Sequence, residues 1–351
     1  MGDVIMSTPA FRALKETFGC RLTLLTSEMG SLIAPFVKEI DETIVFDLPW
    51  VKTNQSVNTH DCSRLVEKLK TYRFDAAIIF TVYSQNPLPS ALMAYLANIP
   101  LRLAYCRENP YGLLTDWIPD KEPYSFIQHQ VKRDICLVKH VEAMTHEECL
   151  SLRYNAKAFE TAMRKLSSTG FDPQNEFIVA HAGVSEAKRQ YPEPLWIETL
   201  NNITQQTDMQ ILLTGAKNER QLTERVQQAT CKKVFAVADL LSLEESIAVI
   251  ANSALVISVN TSTIHIASAF KIPVVVLYAE TNPQHTPWLT RNVVLPFSVP
   301  EKLRSKNEVI EFVNRSYYKQ YIDYPSPAEV AENVLMLLSE SAIQIQPFYS
   351  T

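Results

Sequence analysis

The stretch from Ala254 to Leu277 constrains this chain most. It opens with Ala254-Leu-Val-Ile-Ser-Val259 and closes with Val274-Val-Val-Leu277, two short runs rich in β-branched apolar residues. Such runs read as strands buried on both faces, the habit of parallel sheets. Between them there is room for a polar loop and one short helix, roughly Thr263 to Phe270. A polar loop at the carboxyl end of a parallel strand, opening a helix, is where α/β folds bind anions. Asn260, Thr261, Ser262 and Thr263 are all good helix N-caps that leave backbone N–H groups and hydroxyls for a phosphate. The same residues equally suit plain capping with nothing bound.

The rest of the chain repeats this alternation twice. In the first half, Thr8-Pro9 marks a helix start, and Phe11, Leu14 and Phe18 make a core-facing stripe. Strands are expected at 22–25, 43–46, 76–80 and 101–104, with helices near 30–39, 61–72, 88–98 and 125–144. The last of these carries Val131, Ile135, Val138 and Val141 at helical spacing. A polar helix at 156–168 ends at Gly170, and Asp172-Pro173 marks a turn, so the domain boundary is placed there: residues 1–170 and 171–351. The second half predicts strands at 177–181, 210–214, 233–237, 254–259 and 273–278, and helices near 193–206, 218–229, 243–252 and 263–270. Residues 298–325 read as irregular, and a last helix runs from Pro327 to about Glu340. The expected class is α/β: two doubly wound, Rossmann-like halves, with ligands at strand carboxyl ends facing a cleft.

Composition removes several function classes. A net charge of -5 gives no reason to expect nucleic acid as a partner. No apolar run reaches the ~18 residues that a transmembrane helix needs. The six cysteines are scattered with no CxxC pair, which suits reduced thiols in a cytoplasmic protein. There is no HExxH, no Asp-x-Asp and no His/Cys cluster, so no metal site is expected, and GxGxxG and the P-loop pattern are absent too.

Three strand ends in the second half carry residues suited to a diphosphate. The first gives His181-Ala-Gly183-Val-Ser185, followed by Lys188-Arg189. The second gives Thr214-Gly215 and, four residues on, Glu219; the third is the loop at Asn260–Thr263. Glycines permit close approach, hydroxyls donate, and arginine chelates phosphate oxygens in pairs. Lys188 and Arg189 read equally as a solvated surface pair. His265 is kept as a residue lining the site, since a lone histidine inside a helix is more often packed than catalytic. In the first half, Asp3 lies just ahead of a helix, whose dipole stabilises an anion there; an ordinary helix-start aspartate looks the same.

The segment Met1-Gly-Asp-Val-Ile-Met-Ser-Thr-Pro-Ala-Phe-Arg-Ala-Leu-Lys15 resembles the start of the glycosyltransferase family 9 proteins, the heptosyltransferases of lipopolysaccharide core assembly. Their pattern is G-D-V, a few residues, T-P-A and an amphipathic helix. Leu22–Thr26, His181–Ser185, Lys188–Pro192 with Trp196, Leu212–Gly215, Leu241–Glu244 and Ser258–Phe270 come next, in the family's order. The resemblance implies a GT-B fold and inverting, metal-independent transfer from a nucleotide sugar, such as ADP-heptose, to a glycolipid or oligosaccharide acceptor. It implies no further cofactor, a cytoplasmic place and contact with the inner membrane face. The aspartate of G-D-V, here Asp3, is the family's catalytic base. The phosphate-binding cation matches Arg189, with Lys188 beside it, and the adenine-side position matches Leu241.

The family's D-[ST]-G-x-x-H loop matches Asn260-Thr261-Ser262-Thr-Ile-His265 with two departures, Asn260 for the acid and Ser262 for the glycine. These leave open a nucleotide-sugar-binding protein or inactive transferase; a non-hydrolysing nucleotide-sugar epimerase is a further alternative. Family members also carry a strand before G-D-V. From this the natural or functional chain is expected to carry about 8–10 more N-terminal residues, one strand's worth.

Overall fold

Two helices set end to end open the chain, α1 (Gly2–Met6) and α2 (Thr8–Phe18), in a computed structural model that describes residues 1–51 and 58–339. Met1, Asp3–Glu148 and Asn307–Val313 form one compact unit; Gly2, Cys149–Lys306 and the chain from Asn314 on form the second. The division therefore falls after Glu148, not at Gly170. The reason is packing: the helix Ala156–Ser167, expected to close the first domain, lies against the helix Leu243–Ala251 of the second unit.

In the first unit the order continues with β1 (Thr23–Thr26), α3 (Glu28–Ser31), β2 (Glu42–Val45), α4 (Thr59–Tyr72), β3 (Ala76–Ile79), α5 (Leu88–Leu96), β4 (Leu101–Cys106), β5 (Asp116–Pro119) and α6 (Gln130–Lys139). All strand pairs are parallel. β1 pairs with β2, and β3, β4 and β5 form a separate sheet in that order. Among the described residues β1 and β3 thus pair on one edge only, and neither is fully buried. The helix expected over 30–39 is broken into α3 and a 3₁₀ turn at Ala34–Phe36, since Pro35 has no N–H to continue a helical ladder. Phe18, expected in the core, is 54% exposed, whereas Phe11 and Leu14 are buried. The strand β5 was not anticipated: Asp116-Trp-Ile-Pro119 lies at a sheet edge and alternates in burial, so it shows no apolar run. α6 is shorter than 125–144 because the His129 imidazole caps it, accepting from the Val131 N–H at 3.2 Å.

The second unit holds α7 (Ala156–Ser167), β6 (Phe177–His181), α8 (Glu193–Gln206), β7 (Gln210–Thr214), α9 (Arg220–Gln228), β8 (Val234–Ala236), α10 (Leu243–Ala251), β9 (Leu255–Val259), α11 (Ser262–Ala269), β10 (Val274–Ala279), β11 (Asn292–Phe297) and α13 (Pro327–Ser339). Glu340, placed at the end of that last helix by the sequence, lies outside the described residues. Ahead of α13 comes α12 (Glu308–Ser316), in a stretch expected to be irregular; only its Val313 is fully buried, so its pattern is weak. The six strands form one parallel sheet in the order β11-β10-β9-β6-β7-β8. β9 and β10 are buried at every position, as runs of Val, Ile and Leu in a helix-covered parallel sheet should be.

A buried ionic cluster ties the first unit together. Arg133, 1% exposed, reaches from α6 to three partners. Its Nε donates to the Thr81 carbonyl at 2.8 Å, Nη2 to Asp120 Oδ2 at 2.9 Å and Nη1 to Glu122 Oε2 at 2.6 Å. Its guanidinium lies 4.3 Å from the Tyr105 ring centre. These contacts join α6 to β4 and to the loops after β3 and β5. Arg133→Met leaves Glu122 buried without its cation and Asp120 with Arg107 at 3.7 Å, which costs roughly 3–5 kcal/mol. Urea unfolding followed on the first unit measures it; a loss below about 1 kcal/mol contradicts the assignment.

Candidate functional site

Parallel register brings the three strand ends of the second unit to one edge. β6 lies between β9 and β7, and His181, its last residue, is level with Ser258 on one side and Thr214 on the other. The loops that leave these strands must therefore stand side by side: Ala182-Gly183 after β6, Gly215-Ala216 after β7, and Asn260-Thr261 after β9.

The cationic pair joins the β9 side. Arg189, in a 3₁₀ turn at Ala187–Arg189, donates from Nη1 to the Asn260 carbonyl at 3.1 Å. Its Nε is buried with no hydrogen-bond partner. Glu186, unmarked by the sequence, lies 3.3 Å from Arg189 and 3.5 Å from Lys188 and holds both cations in place. Next to Arg189 begins α11, eight residues long. Thr261 is its N-cap residue but makes no side-chain cap bond; its hydroxyl lies 3.3 Å from that of Ser258 instead. The helix start is left without side-chain capping, beside a guanidinium, which suits an anion. Ser262 is the first residue of that helix, so the side chain in place of glycine stands at its opening turn.

Asn260 has a fixed orientation. Its Nδ2 donates to Thr281 Oγ1 at 3.0 Å and toward the Ala279 carbonyl at 3.4 Å. A flipped amide would set oxygen against that carbonyl, so Oδ1 must be the other atom. Oδ1 is buried and makes no hydrogen bond. The position keeps the acceptor that an aspartate has there and loses only the charge.

The β7 side has the opposite character. Glu219 Oε2 accepts from the Ala216 N–H at 2.7 Å. Its carboxylate lies over the first strand end, for a Cβ placed on Gly183 would fall 2.0 Å from it. A Cβ on Gly215 would stand 3.1 Å from the Glu219 Cβ. The carboxylate thus fills space that a side chain at Gly183 would take, and Gly215 eases the packing of its stem. Thr214 Oγ1 donates to the Ala180 carbonyl at 3.2 Å and accepts from His181 Nδ1 at 3.2 Å, which puts the ring proton on Nδ1. Burial lowers the His181 pKa below the ordinary histidine value, against the pull of Glu219, so the ring is neutral at pH 7. A carboxylate disfavours phosphate on this side and suits the hydroxyls of a sugar. The edge is polarised, cationic at β9 and anionic at β7.

Of the residues picked from sequence, Gly183, Lys188, Arg189, Thr214, Gly215, Glu219, Asn260, Thr261 and Ser262 gather at this edge. Leu241 is half-buried in the loop between β8 and α10, beyond β7. His265, expected to line the site, is buried within α11 with its ring edge-on to His285 at 6.4 Å. Asp3 belongs to the first unit and sits exposed inside α1 rather than ahead of a helix. Its backbone carbonyl accepts from the Ser7 N–H at 3.0 Å.

The family model for glycosyltransferase family 9 (heptosyltransferase) matches residues 62–311. Lipopolysaccharide heptosyltransferase 2 of Salmonella typhimurium is 25% identical to this chain, over 98% of it and 97% of that protein. Among solved structures, a family 9 glycosyl transferase from Veillonella parvula superposes with a TM-score of 0.77 at 17% identity, covering 97% of this chain and 95% of that one. The E. coli ADP-heptose lps heptosyltransferase II superposes at 0.70 with 18% identity, covering 96% and 95%. The two structural likenesses show the fold, GT-B with its two Rossmann-like domains.

Asn260→Asp tests the reading of the amide. One carboxylate oxygen would then face the Ala279 carbonyl, with the Thr281 hydroxyl turned round to donate to it, at a net cost of about 1 kcal/mol. Equilibrium urea unfolding reads this directly, and an aspartate variant as stable as the parent overturns the assignment.

Proposed function

The chain belongs to glycosyltransferase family 9, and on that premise we propose that it moves a heptose or related sugar from a nucleotide-sugar donor to a lipopolysaccharide core or other cell-surface glycan. The observation that carries the reading is the polarised strand edge of the second unit. The diphosphate takes the cationic side, Arg189, Lys188 and the start of α11. The nucleoside hydroxyls take the anionic side at Glu219, with Leu241 beyond it. The Oδ1 of Asn260 accepts from a donor hydroxyl, so the loss of an acid there is compatible with donor binding.

Asp3 on the first unit is the general base. It takes the proton of the acceptor hydroxyl as that oxygen attacks the anomeric carbon. The bond from that carbon to the diphosphate breaks on the opposite side, and its electrons leave with the nucleoside diphosphate. The configuration is therefore inverted. Arg189, Lys188 and the α11 N-terminus meet the charge that develops on the leaving group. No helix of the described residues is long and apolar enough to cross a membrane. A cytoplasmic enzyme that meets a glycolipid acceptor at the inner membrane face accords with this.

A pair of substitutions separates the two roles. Arg189→Ala weakens nucleoside diphosphate binding by roughly ten- to a hundredfold, the worth of a charge-assisted bond to phosphate. Asp3→Asn leaves that affinity in place and slows transfer by roughly 10²–10⁴-fold. Calorimetric titration with ADP and a transfer assay with ADP-heptose check both. Unchanged ADP affinity in the first variant makes Arg189 a plain surface cation, and normal turnover in the second removes the base.

The cationic pair can take the part of a metal on the diphosphate. Transfer accordingly continues in excess EDTA. Activity lost to the chelator and restored by Mg²⁺ or Mn²⁺ contradicts this.

A further inference from the structure

Ser7 joins α1 to α2 and is 5% exposed. Its Oγ lies 3.0 Å from the Asp3 carbonyl and 2.6 Å from Asp134 Oδ2. A hydroxyl has one proton, and a backbone carbonyl can only accept. If Asp134 is ionised, Ser7 can donate to one of these oxygens and not to both. If Asp134 carries a proton on Oδ2, both contacts are satisfied: Asp134 donates to Ser7, and Ser7 donates to Asp3.

The other oxygen of Asp134 agrees with this. Oδ1 accepts from Gln130 Nε2 at 2.7 Å, and the same nitrogen lies 3.3 Å from the Thr81 carbonyl, which fixes the orientation of the amide. The surroundings also favour a neutral carboxyl. Asp134 is 2% exposed. The nearest cation, Arg133, is spent on Asp120 and Glu122. From α1, Asp3 adds a repelling charge. The cations of α2 face elsewhere, Arg12 toward Glu39 and Lys15 toward Asp41. The ionisable group of β4 nearby is Tyr105, which lies under Arg133.

We propose that Asp134 is a positioning residue for Asp3: its carboxylic acid proton is the first link of a relay through Ser7 that holds the backbone of the base. The proposal rests on Asp3 being that base. Burial pushes the Asp134 carboxyl up to about 7, with the Ser7 and Gln130 hydrogen bonds pulling the other way. Below that pH the relay is whole. Above it the Ser7 hydroxyl turns to the carboxylate, and the Asp3 carbonyl keeps the Ser7 N–H but loses its second donor.

Asparagine reproduces the protonated pattern, with Nδ2 donating to Ser7 and Oδ1 accepting from Gln130, and it does not titrate. Turnover of the parent protein should fall roughly two- to tenfold as pH rises through about 7, the worth of one hydrogen bond. Asp134→Asn should keep the turnover of the low-pH form and lose that limb. Ser7→Ala should be slow at every pH with ADP affinity unchanged, since donor binding belongs to the other unit.

Stability supplies a readout that does not depend on what Asp3 does. Between the ordinary aspartate value near 4 and about 7, the folded parent holds a proton that the unfolded chain has lost, so its stability falls as pH rises through that window. Asp134→Asn should equal the parent at low pH and unfold at higher urea above pH 7. If the variant keeps the alkaline limb, or its stability tracks the parent at every pH, Asp134 is not a proton-bearing link and the proposal fails. If the stability curves separate as expected but Asp3→Asn transfers normally, the relay stands and the base assignment falls.

Discussion

The parallel register that sets His181 level with Ser258 and Thr214 is the constraint on which the second unit's chemistry depends. Because β6 lies between β9 and β7, the residues after each strand share one edge whatever their distance in sequence. Everything else there is placement on that edge. Arg189 is tied to it by the Asn260 carbonyl, and Glu219 is seated over it in space that a side chain at Gly183 would take. The resulting charge gradient, cation to carboxylate across three strands, matches a nucleoside diphosphate, which is anionic at one end and rich in hydroxyls at the other.

The first unit is organised differently. Its parallel strands form two sheets, and two of its buried polar clusters share one helix. Arg133 and Asp134 are neighbours on α6, both buried, with opposite partners: Arg133 holds the loops after β3 and β5, and Asp134 holds the joint between α1 and α2. Side chains that would be costly if left unpaired instead fix the places where loops leave the strands. α1 is short, with Val4, Ile5 and Met6 buried and Asp3 exposed, and the Ser7–Asp134 contact fastens its end to α6.

Much of the second unit was legible because its strands are continuous apolar runs bounded by glycine or polar residues. β6 and β7 begin and end where Phe177–His181 and Gln210–Thr214 change character. The site residues were legible for the same reason, because they come directly after those runs. Edge elements were not. β5 and β11 carry Asp, Asn and Pro and bury few positions fully, so they leave no periodic trace, and α12 buries only Val313. Arg133 and Asp134 were missed on one ground: a charged pair on an amphipathic helix reads as its solvated face, and only partners such as Thr81 and Ser7, distant in sequence, reveal that the face is buried. Glu186 was hidden likewise, since its role depends on the turn that brings it back to Lys188 and Arg189. His265 drew notice as the histidine of the loop motif and as a lone histidine in a helix; it lies buried within α11.

The central claim is inverting transfer supported by this edge, and the stereochemistry of the product tests it most directly. The unmodified protein is incubated with ADP-heptose and a truncated lipopolysaccharide acceptor, and the new linkage is read from its anomeric NMR signals. The account predicts a heptoside whose anomeric configuration is opposite to that of the donor. A product with retained configuration, a donor epimerised without transfer, or a donor bound and returned unchanged contradicts it.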